Sequence, residues 1–361
     1  YCTISMQKSQ ILFDQILNFW YNNSRKSRNR VVDLKRICAV LLLACLLLTA
    51  CTADRTAERE FFVMDTLMHV KIWGSDAAAD AVQQEVYRLE KLLSVTENSS
   101  DVALLNCGGY KHIADETNEL LHSALAISAR TDGAFDPTVY PLVHLWGFTG
   151  GTQRVPSQDE LQAALLHVGI ENVDAQDGFA ELKNGAQLDF GGIAKGYAAE
   201  RCSSILQASG VEAALLTLGG NVQAVGTKPD GAPWAIGIAD PAQPEQSLAT
   251  LRFTGSLALV TSGGYQRYFE ENGVRYHHIL DPQTGMPAQS GLACVTVLAQ
   301  SGTLADALST ALFVMGLDKA TEFWRASDDF EAVFIMDNGE IYATAGAAEL
   351  LDDCEFQVIA R

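Results

Sequence analysis

The residues best suited to chemistry lie in one short segment, 188–200, between a strand-like run and a helical pattern that ends near Gly210. Three glycines fall within six residues there, and each costs roughly 0.5–1 kcal/mol against alanine at a helix start. The free N–H groups of a helix start attract an anion, Lys195 adds a positive charge, and Asp189 offers a carboxylate to a metal ion or hydroxyl. The segment predicts a phosphate and metal site, although a structural glycine turn explains it equally well.

Asp306 and Thr310 form a second candidate site. They lie four residues apart in a predicted helix, 303–315, and therefore project from one face, one turn apart. A carboxylate and a hydroxyl so placed can bind one hard cation, and oxygen ligands of this kind suit Mg2+. An acidic residue favoured by the helix dipole and an ordinary buried threonine would give the same spacing, so the spacing alone leaves both interpretations open.

Two adjacent histidines, His277 and His278, lie in a predicted strand, 275–280. Successive side chains of a strand point to opposite faces, so at most one of the two can enter a given site. A histidine that faces a cleft can act as base or acid near neutral pH, whereas the other is expected to face solvent.

An aromatic pair, Trp146 and Phe148, flanks Gly147 after a segment, 135–142, whose two prolines exclude a regular helix. These rings could fill the core or form a wall on which another ring stacks. The residues alone favour the core.

The distribution of net charge along the chain argues against some classes of binding partner. The chain has 361 residues and a formal net charge of −19, but residues 1–50 carry net +5, which leaves −24 for the rest. Such an acidic body argues against nucleic acid or an anionic membrane face as partner. A phosphate-bearing ligand would benefit from a divalent cation, because Lys195 and the helix start are the only positive charges expected near the site.

The N-terminal part predicts export. Two basic residues precede an apolar run, 37–50, that is too short to span a membrane. The small residues before Cys51 resemble a lipobox, so residues 31–50 are predicted to be a lipoprotein signal peptide and Cys51 the lipidated first residue of the mature chain. Residues 1–30 fit no such pattern and begin with Tyr rather than Met. We interpret them as upstream translation or a mis-called start, with an additional cytoplasmic arm as the alternative.

The remaining pattern predicts a tether over 51–60 and one α+β domain over 61–361, with largely antiparallel sheets and flanking helices. Most of the predicted strands lie in the second half of the domain, and residues 94–106 are predicted to form a loop. Four cysteines follow Cys51 without a Cys-x-x-Cys pair, and we interpret them as buried free thiols, although two disulfides would also be possible. The predicted helices are 77–93, 118–130, 157–168 with a capping box, and 303–315 closed by Gly316, and a hairpin joins 330–336 to 340–344.

Together these segments resemble the ApbE family of bacterial FAD:protein FMN transferases, many of which are lipoproteins. The resemblance spans residues 61 to about 345 and depends on seven segments in the same order: 64–66, 135–148, 189–199, 218–221, 261–263, 278–285 and 305–310. Two positions depart from it. Relatives commonly have glycine where this chain has Asp65, and often an aromatic residue near Thr96.

The resemblance implies an enzyme that cleaves the FAD pyrophosphate with Mg2+, releases AMP, and attaches FMN through a phosphoester to a Thr or Ser of another protein. The acceptor would be a flavin-bearing subunit of a membrane redox complex. Carried over by position, the FAD site comprises Met64, Thr96, Trp146, Gly147, Phe148, Asp189, Lys195 and Ile279, the Mg2+ ligands are the Gly192 carbonyl, Asp306 and Thr310, and His278 is the base.

Two other functions remain open. A Mg2+-dependent FAD pyrophosphatase would release free FMN and AMP, because water instead of a protein hydroxyl would reach the phosphorus. A non-catalytic flavin-binding or solute-binding lipoprotein would not need Asp306, Thr310 and His278. In each case we expect a protein anchored by lipid at the extracytoplasmic face of the cell membrane.

Overall fold

The computed structural model describes residues 56–361, so the predicted signal peptide and Cys51 lie outside the described residues. The helices are α1 (Asp76–Leu93), α2 (Asp101–Asn106), α3 (Asp115–Arg130), α4 (Tyr140–Leu145), α5 (Gln158–Leu165), α6 (Ala194–Ala208), α7 (Gly302–Arg325) and α8 (Ala345–Ala348). The strands are β1 (Thr56–Val63), β2 (Thr66–Trp73), β3 (Lys111–His112), β4 (Val173–Gln176), β5 (Phe179–Leu182), β6 (Ala213–Leu218), β7 (Asn221–Gly226), β8 (Trp234–Asp240), β9 (Gln243–Phe253), β10 (Leu257–Gly263), β11 (Tyr268–Glu271), β12 (Val274–His277), β13 (Leu292–Ala299), β14 (Phe330–Met336), β15 (Ile341–Thr344), β16 (Leu351–Asp352) and β17 (Gln357–Ile359).

A nine-stranded sheet in the order β1-β2-β6-β7-β10-β13-β14-β15-β17 forms the centre of the described part. All of its neighbours pair antiparallel except β15 and β17, which pair parallel. Alternate residues of a strand serve two cores: Ala258 and Val260 of β10 pack with the helices, whereas Leu259 packs with Trp234 and the small sheet β16-β9-β8. Both faces of the sheet are therefore covered, and the predicted α+β class with largely antiparallel sheets is confirmed.

Helices α6 and α7 cross at two glycines that have no room for a side chain. A Cβ on Gly196 would lie 2.1 Å from the Gly302 carbonyl oxygen, and a Cβ on Gly302 would lie 2.7 Å from the Gly196 carbonyl oxygen. The two helix backbones therefore meet directly. This contact brings the first turn of α6 against the N-terminal half of α7, which carries Asp306 and Thr310.

Several element boundaries differ from the predictions. The predicted tether over 51–60 is too long, because residues 56–60 belong to β1, which pairs with β2 from Thr56 onward. The predicted loop at 94–106 contains α2, whose first turn is capped by the Ser100 side chain. The predicted strand at 275–280 ends at His277.

Two predictions about helix breakers need similar correction. Residues 135–142 run into α4, because Pro141 occupies its first turn, where a missing N–H leaves no hydrogen bond unmade. Gly316 does break the helical geometry, with φ +77°, but a further helical stretch follows it to Arg325. The capping box of Ser157 and Glu160 and the hairpin of β14 and β15 are confirmed.

The four described cysteines are free thiols. Cys202 and Cys294 are buried as predicted, and burial raises the pKa of each to about 12. Cys107 is exposed and Cys354 is only half-buried, so the prediction of burial is wrong for Cys107 and only partly right for Cys354. Within residues 56–361, helices of sufficient length and apolar character to cross a membrane are absent.

Candidate active site

A cavity of about 300 Å³ opens where the β1–β2 turn, the start of α6, α7 and the segment after β12 meet. It gathers residues that are up to 246 positions apart in the chain, between Met64 and Thr310. Of the predicted site residues, those on its wall are Met64, Thr96, Phe148, Asp189, Gly192, Lys195, His278, Ile279, Asp306 and Thr310.

Trp146 and Gly147 do not lie on the cavity wall. Trp146 is fully buried beside Leu142 and Leu280, and its indole N–H donates to the Gly285 carbonyl over 2.7 Å. Gly147 adopts φ +74°, and a Cβ there would lie 2.3 Å from the Thr152 carbonyl oxygen. The family resemblance implied that both residues line the flavin pocket, and this geometry does not support that role. It supports the alternative interpretation, in which Trp146 fills the core.

The glycine-rich turn is held at its entry by Asn106, the last residue of α2. Its amide accepts from the Leu188 N–H over 2.7 Å and donates to the Leu188 carbonyl over 2.9 Å. Asp189 then accepts from the Gly191 N–H over 2.7 Å, and the Lys195 ammonium donates to the Gly191 carbonyl over 2.8 Å. The turn thus fixes both charged side chains in position at the start of α6.

Burial raises the pKa of Asp189, and the nearby Asp65 carboxylate adds to that rise. The Gly191 N–H, Lys195 and Arg267 oppose it. Burial outweighs these opposing interactions, so the net shift of the Asp189 pKa is upward.

Asp306, Thr310 and Gly192 come together where α6 and α7 meet. Asp306 is 4% exposed and its Oδ2 accepts from the Gly196 N–H over 2.8 Å. Thr310 lies one turn further along α7, and its Oγ1 would be 3.3 Å from a Cβ on Gly192. The predicted common face of Asp306 and Thr310 is confirmed, and it faces the glycine turn.

This group is chemically suited to a hard cation, since a carboxylate, a hydroxyl and a backbone carbonyl offer only oxygen. Among residues 56–361, clusters of three or more His, Cys, Asp or Glu side chains that could hold a metal ion are absent. A cation held by Asp306, Thr310 and the Gly192 carbonyl would take one carboxylate from these residues and complete its coordination with neutral oxygens. Such a site suits Mg2+, because protein-bound Mg2+ usually retains several water ligands and is also coordinated by the phosphates of the substrate.

The adjacent histidines point to opposite sides, as predicted. His277 packs its ring edge-on against Phe313 and its Nε2 lies 3.1 Å from the Ala288 carbonyl, so it faces the interior and not solvent. His278 lines the cavity, and its Nδ1 lies 3.0 Å from the Arg267 carbonyl. A carbonyl can only accept, so Nδ1 carries the proton and Nε2 keeps its lone pair.

Burial, together with the positive charges of Arg267 and Lys195, lowers the pKa of His278 to about 4. The imidazole is therefore neutral at physiological pH. It faces the cavity as a proton acceptor with a fixed tautomer.

Arg267 is a second cationic side chain at the site, and the sequence did not reveal it. We expected Lys195 to be the only positively charged side chain there, and that expectation is wrong. The Arg267 guanidinium lines the cavity and donates to the Phe148 carbonyl, while its own carbonyl holds His278. Nothing in its local sequence separates it from the other surface arginines. Only its position in the fold, beside His278 and Phe148, shows that it belongs to the site.

Glu90 and Asp65 complete the wall at the β1–β2 turn, and both were missed as site residues. Met64 and Asp65 have φ of +51° and +56°, which makes this a two-residue hairpin turn with both residues left-handed. The Met64 N–H donates to Glu90 Oε1 over 2.7 Å. At this positive φ a glycine would be less strained than Asp65.

Comparison with known proteins agrees with this geometry. The model of the ApbE family matches residues 64–334. A protein named FAD:protein FMN transferase from Treponema pallidum is 34% identical over 320 residues, which cover 82% of this chain and 88% of that protein.

Two solved structures are also similar. The ApbE protein of Thermotoga maritima superposes with a TM-score of 0.77 at 37% identity, covering 83% of this chain and 100% of that one. The flavinyl transferase ApbE of Pseudomonas stutzeri, in its apo form, superposes with a TM-score of 0.73 at 34% identity, covering 82% and 97%. With a family match over most of its length and relatives of this similarity, the chain belongs to the ApbE family.

Proposed function

We infer that this chain is an FAD:protein FMN transferase, which moves FMN from FAD to a Thr or Ser hydroxyl of an acceptor protein and releases AMP. Family membership supports the reaction class. The observation that carries the proposal is that neutral His278, with Nε2 available, shares one cavity with Lys195, Arg267 and the oxygen group of Asp306 and Thr310.

The reaction breaks the phosphoanhydride bond of the FAD pyrophosphate and forms a phosphoester bond to the acceptor. The acceptor hydroxyl oxygen forms a bond to the phosphorus of the FMN half, and the bond from that phosphorus to the bridging oxygen breaks, so that AMP leaves with the electron pair. His278 Nε2 takes the hydroxyl proton. Lys195 and Arg267 hold the anionic pyrophosphate near the start of α6, where the positive end of the helix dipole adds to the favourable field.

We propose that Mg2+ binds to Asp306, Thr310 and the Gly192 carbonyl. Bound there, it would supply positive charge to the pyrophosphate as the leaving group departs. The argument is one of charge: five carboxylates line the cavity against two cationic side chains, the carboxylates being Asp65, Glu90, Asp136, Asp189 and Asp306. A helix start contributes only about 0.3–1 kcal/mol at an exposed end, so it does not offset this excess.

Mass spectrometry of a co-expressed acceptor protein tests the transfer. The unmodified chain should add one FMN to an acceptor Thr or Ser, and Asp306→Asn should abolish the adduct. Asparagine keeps an oxygen and the shape of the side chain, which matters because Asp306 is buried and bonded to the Gly196 N–H. Asp318→Asn, at an exposed position of the same helix, is the matched control and should label normally.

Other outcomes separate the alternatives. Release of free FMN and AMP without an adduct would identify a pyrophosphatase. FAD binding without any cleavage would identify a binding protein. Full turnover in excess EDTA would contradict the Mg2+ proposal and leave the transferase proposal standing.

We also propose that the protein is exported and held by lipid on Cys51 at the extracytoplasmic face of the cell membrane, and that its acceptor is a subunit of a membrane redox complex. The basic flank, the apolar run 37–50 and the residues before Cys51 support the anchor. An acceptor in the same membrane follows from that location and from the family resemblance.

A further inference from the structure

Asn221 is a buried amide on the cavity wall without a partner. It is the first residue of β7, lines the cavity, and is 1% exposed. Within residues 56–361, neither its Oδ1 nor its Nδ2 has a hydrogen-bond partner. Leaving a buried donor and acceptor unpaired destabilises the protein. A ligand in the cavity can supply the hydrogen bonds that this amide lacks.

The position of Asn221 indicates which part of a ligand it meets. It pairs with Val260 of β10, and Ser262 lies two residues further along β10 on the same face. The Ser262 hydroxyl is 2.7 Å from Ser309 Oγ and 3.5 Å from Thr310 Oγ1. Diagonal neighbours of this kind are about 7–8 Å apart, so the amide lies one diagonal step from Ser262, on the same cavity wall as Asp306 and Thr310.

We propose that Asn221 binds the pyrophosphate of FAD, with an Nδ2 hydrogen donated to a phosphate oxygen and with Oδ1 accepting from a hydroxyl or water. The assignment depends on the proposed function, which makes FAD the substrate. Phosphate oxygens accept but do not donate, so the amide nitrogen is the group they require. A neutral donor also suits this cavity better than a carboxylate, which would repel the phosphates.

Asn221→Leu keeps the branched shape of the side chain and removes both polar atoms. Because the amide is unpaired without a ligand, the FAD-free protein should melt at the same temperature or higher. FAD binding, followed by flavin fluorescence, should weaken roughly 10- to 100-fold. Asn221→Ala provides a second variant in case leucine packs poorly.

Gln223→Leu is the matched control. Gln223 lies two residues further along β7 on the same face, is buried, and also has an unpaired Oε1, but it does not line the cavity. Its removal should leave FAD affinity unchanged. Equal loss of affinity in Asn221→Leu and Gln223→Leu would show a general packing effect and overturn the assignment.

Asn221→Asp tests the phosphate specifically, in buffer with EDTA so that no cation screens the new charge. Beside phosphate, aspartate should bind FAD more weakly than leucine does, because repulsion adds to the lost donor. Equal or tighter binding by the Asp variant overturns the phosphate contact. A lower melting temperature of both Leu and Ala variants, with unchanged FAD affinity, would assign Asn221 a structural role instead. Failure of the unmodified chain to bind FAD would count against the proposed function and not against Asn221.

Discussion

Gly196→Ala should disable the site by separating α6 from α7. The new Cβ would lie 2.1 Å from the Gly302 carbonyl oxygen and 2.6 Å from Asp306 Cβ, whereas ordinary contacts start near 3.4 Å. The helices must therefore move apart by about 1.3 Å at this point. Such a movement also stretches the hydrogen bond from the Gly196 N–H to Asp306, which is now 2.8 Å.

The expected cost follows from three terms. Overpacking of a tight contact costs roughly 1–3 kcal/mol, and weakening the hydrogen bond to a buried carboxylate adds about 1 kcal/mol. Alanine gains about 0.5–1 kcal/mol over glycine inside a helix. The net loss is roughly 1–3 kcal/mol, which for a domain of about 300 residues corresponds to a fall in melting temperature of roughly 2–5 °C.

The assay combines melting temperature with FMN transfer to an acceptor. Transfer should fall far more than the fraction of folded protein, because Asp306 is displaced even in molecules that remain folded. Gly192→Ala is the control for stability, since its Cβ would lie 3.3 Å from Phe135 and Thr310, a contact that small shifts relieve. An unchanged melting temperature and full transfer by Gly196→Ala would refute the argument that these helices meet without space.

Three further predictions concern other parts of the chain. Because the pKa of His278 is lowered to about 4, this histidine stays in its neutral, basic form on acidification. The transfer rate should therefore stay constant from about pH 8 to about pH 5 before it falls. An inflection of the rate at pH 6.5 would show that burial does not lower the pKa of this imidazole. Asp65→Gly should raise stability by up to about 1 kcal/mol, since Asp65 has φ +56° and adds negative charge beside Asp189. Asp65→Asn as its control separates the two causes, because it removes only the charge, and a lower melting temperature of Asp65→Gly would contradict both. Cys51→Ser should release the protein from the membrane fraction, and a variant that stays there after cell fractionation would exclude lipid on Cys51 as the anchor.

Local sequence determined much of the candidate site. The spacing of Asp306 and Thr310 places both on one helix face whatever the rest of the fold does, because a helix repeats every 3.6 residues. The prediction that His277 and His278 point to opposite sides also holds, although β12 ends at His277 and His278 lies in the bend that follows it. The glycine-rich turn could be located for the same reason, since the conformational cost of clustered glycines is local and visible in the sequence.

Tertiary structure alone decided which distant residues share the cavity. Arg267 and Glu90 have unremarkable neighbours in the sequence, and each reaches the site because strand pairing and helix packing bring its segment there. Trp146 shows the opposite case, in which an aromatic residue near a site turns inward because its indole N–H finds the Gly285 carbonyl. Helical and strand periodicity specifies which face of an element a side chain occupies, whereas contacts between elements depend on the whole packed core, which no short stretch of sequence encodes.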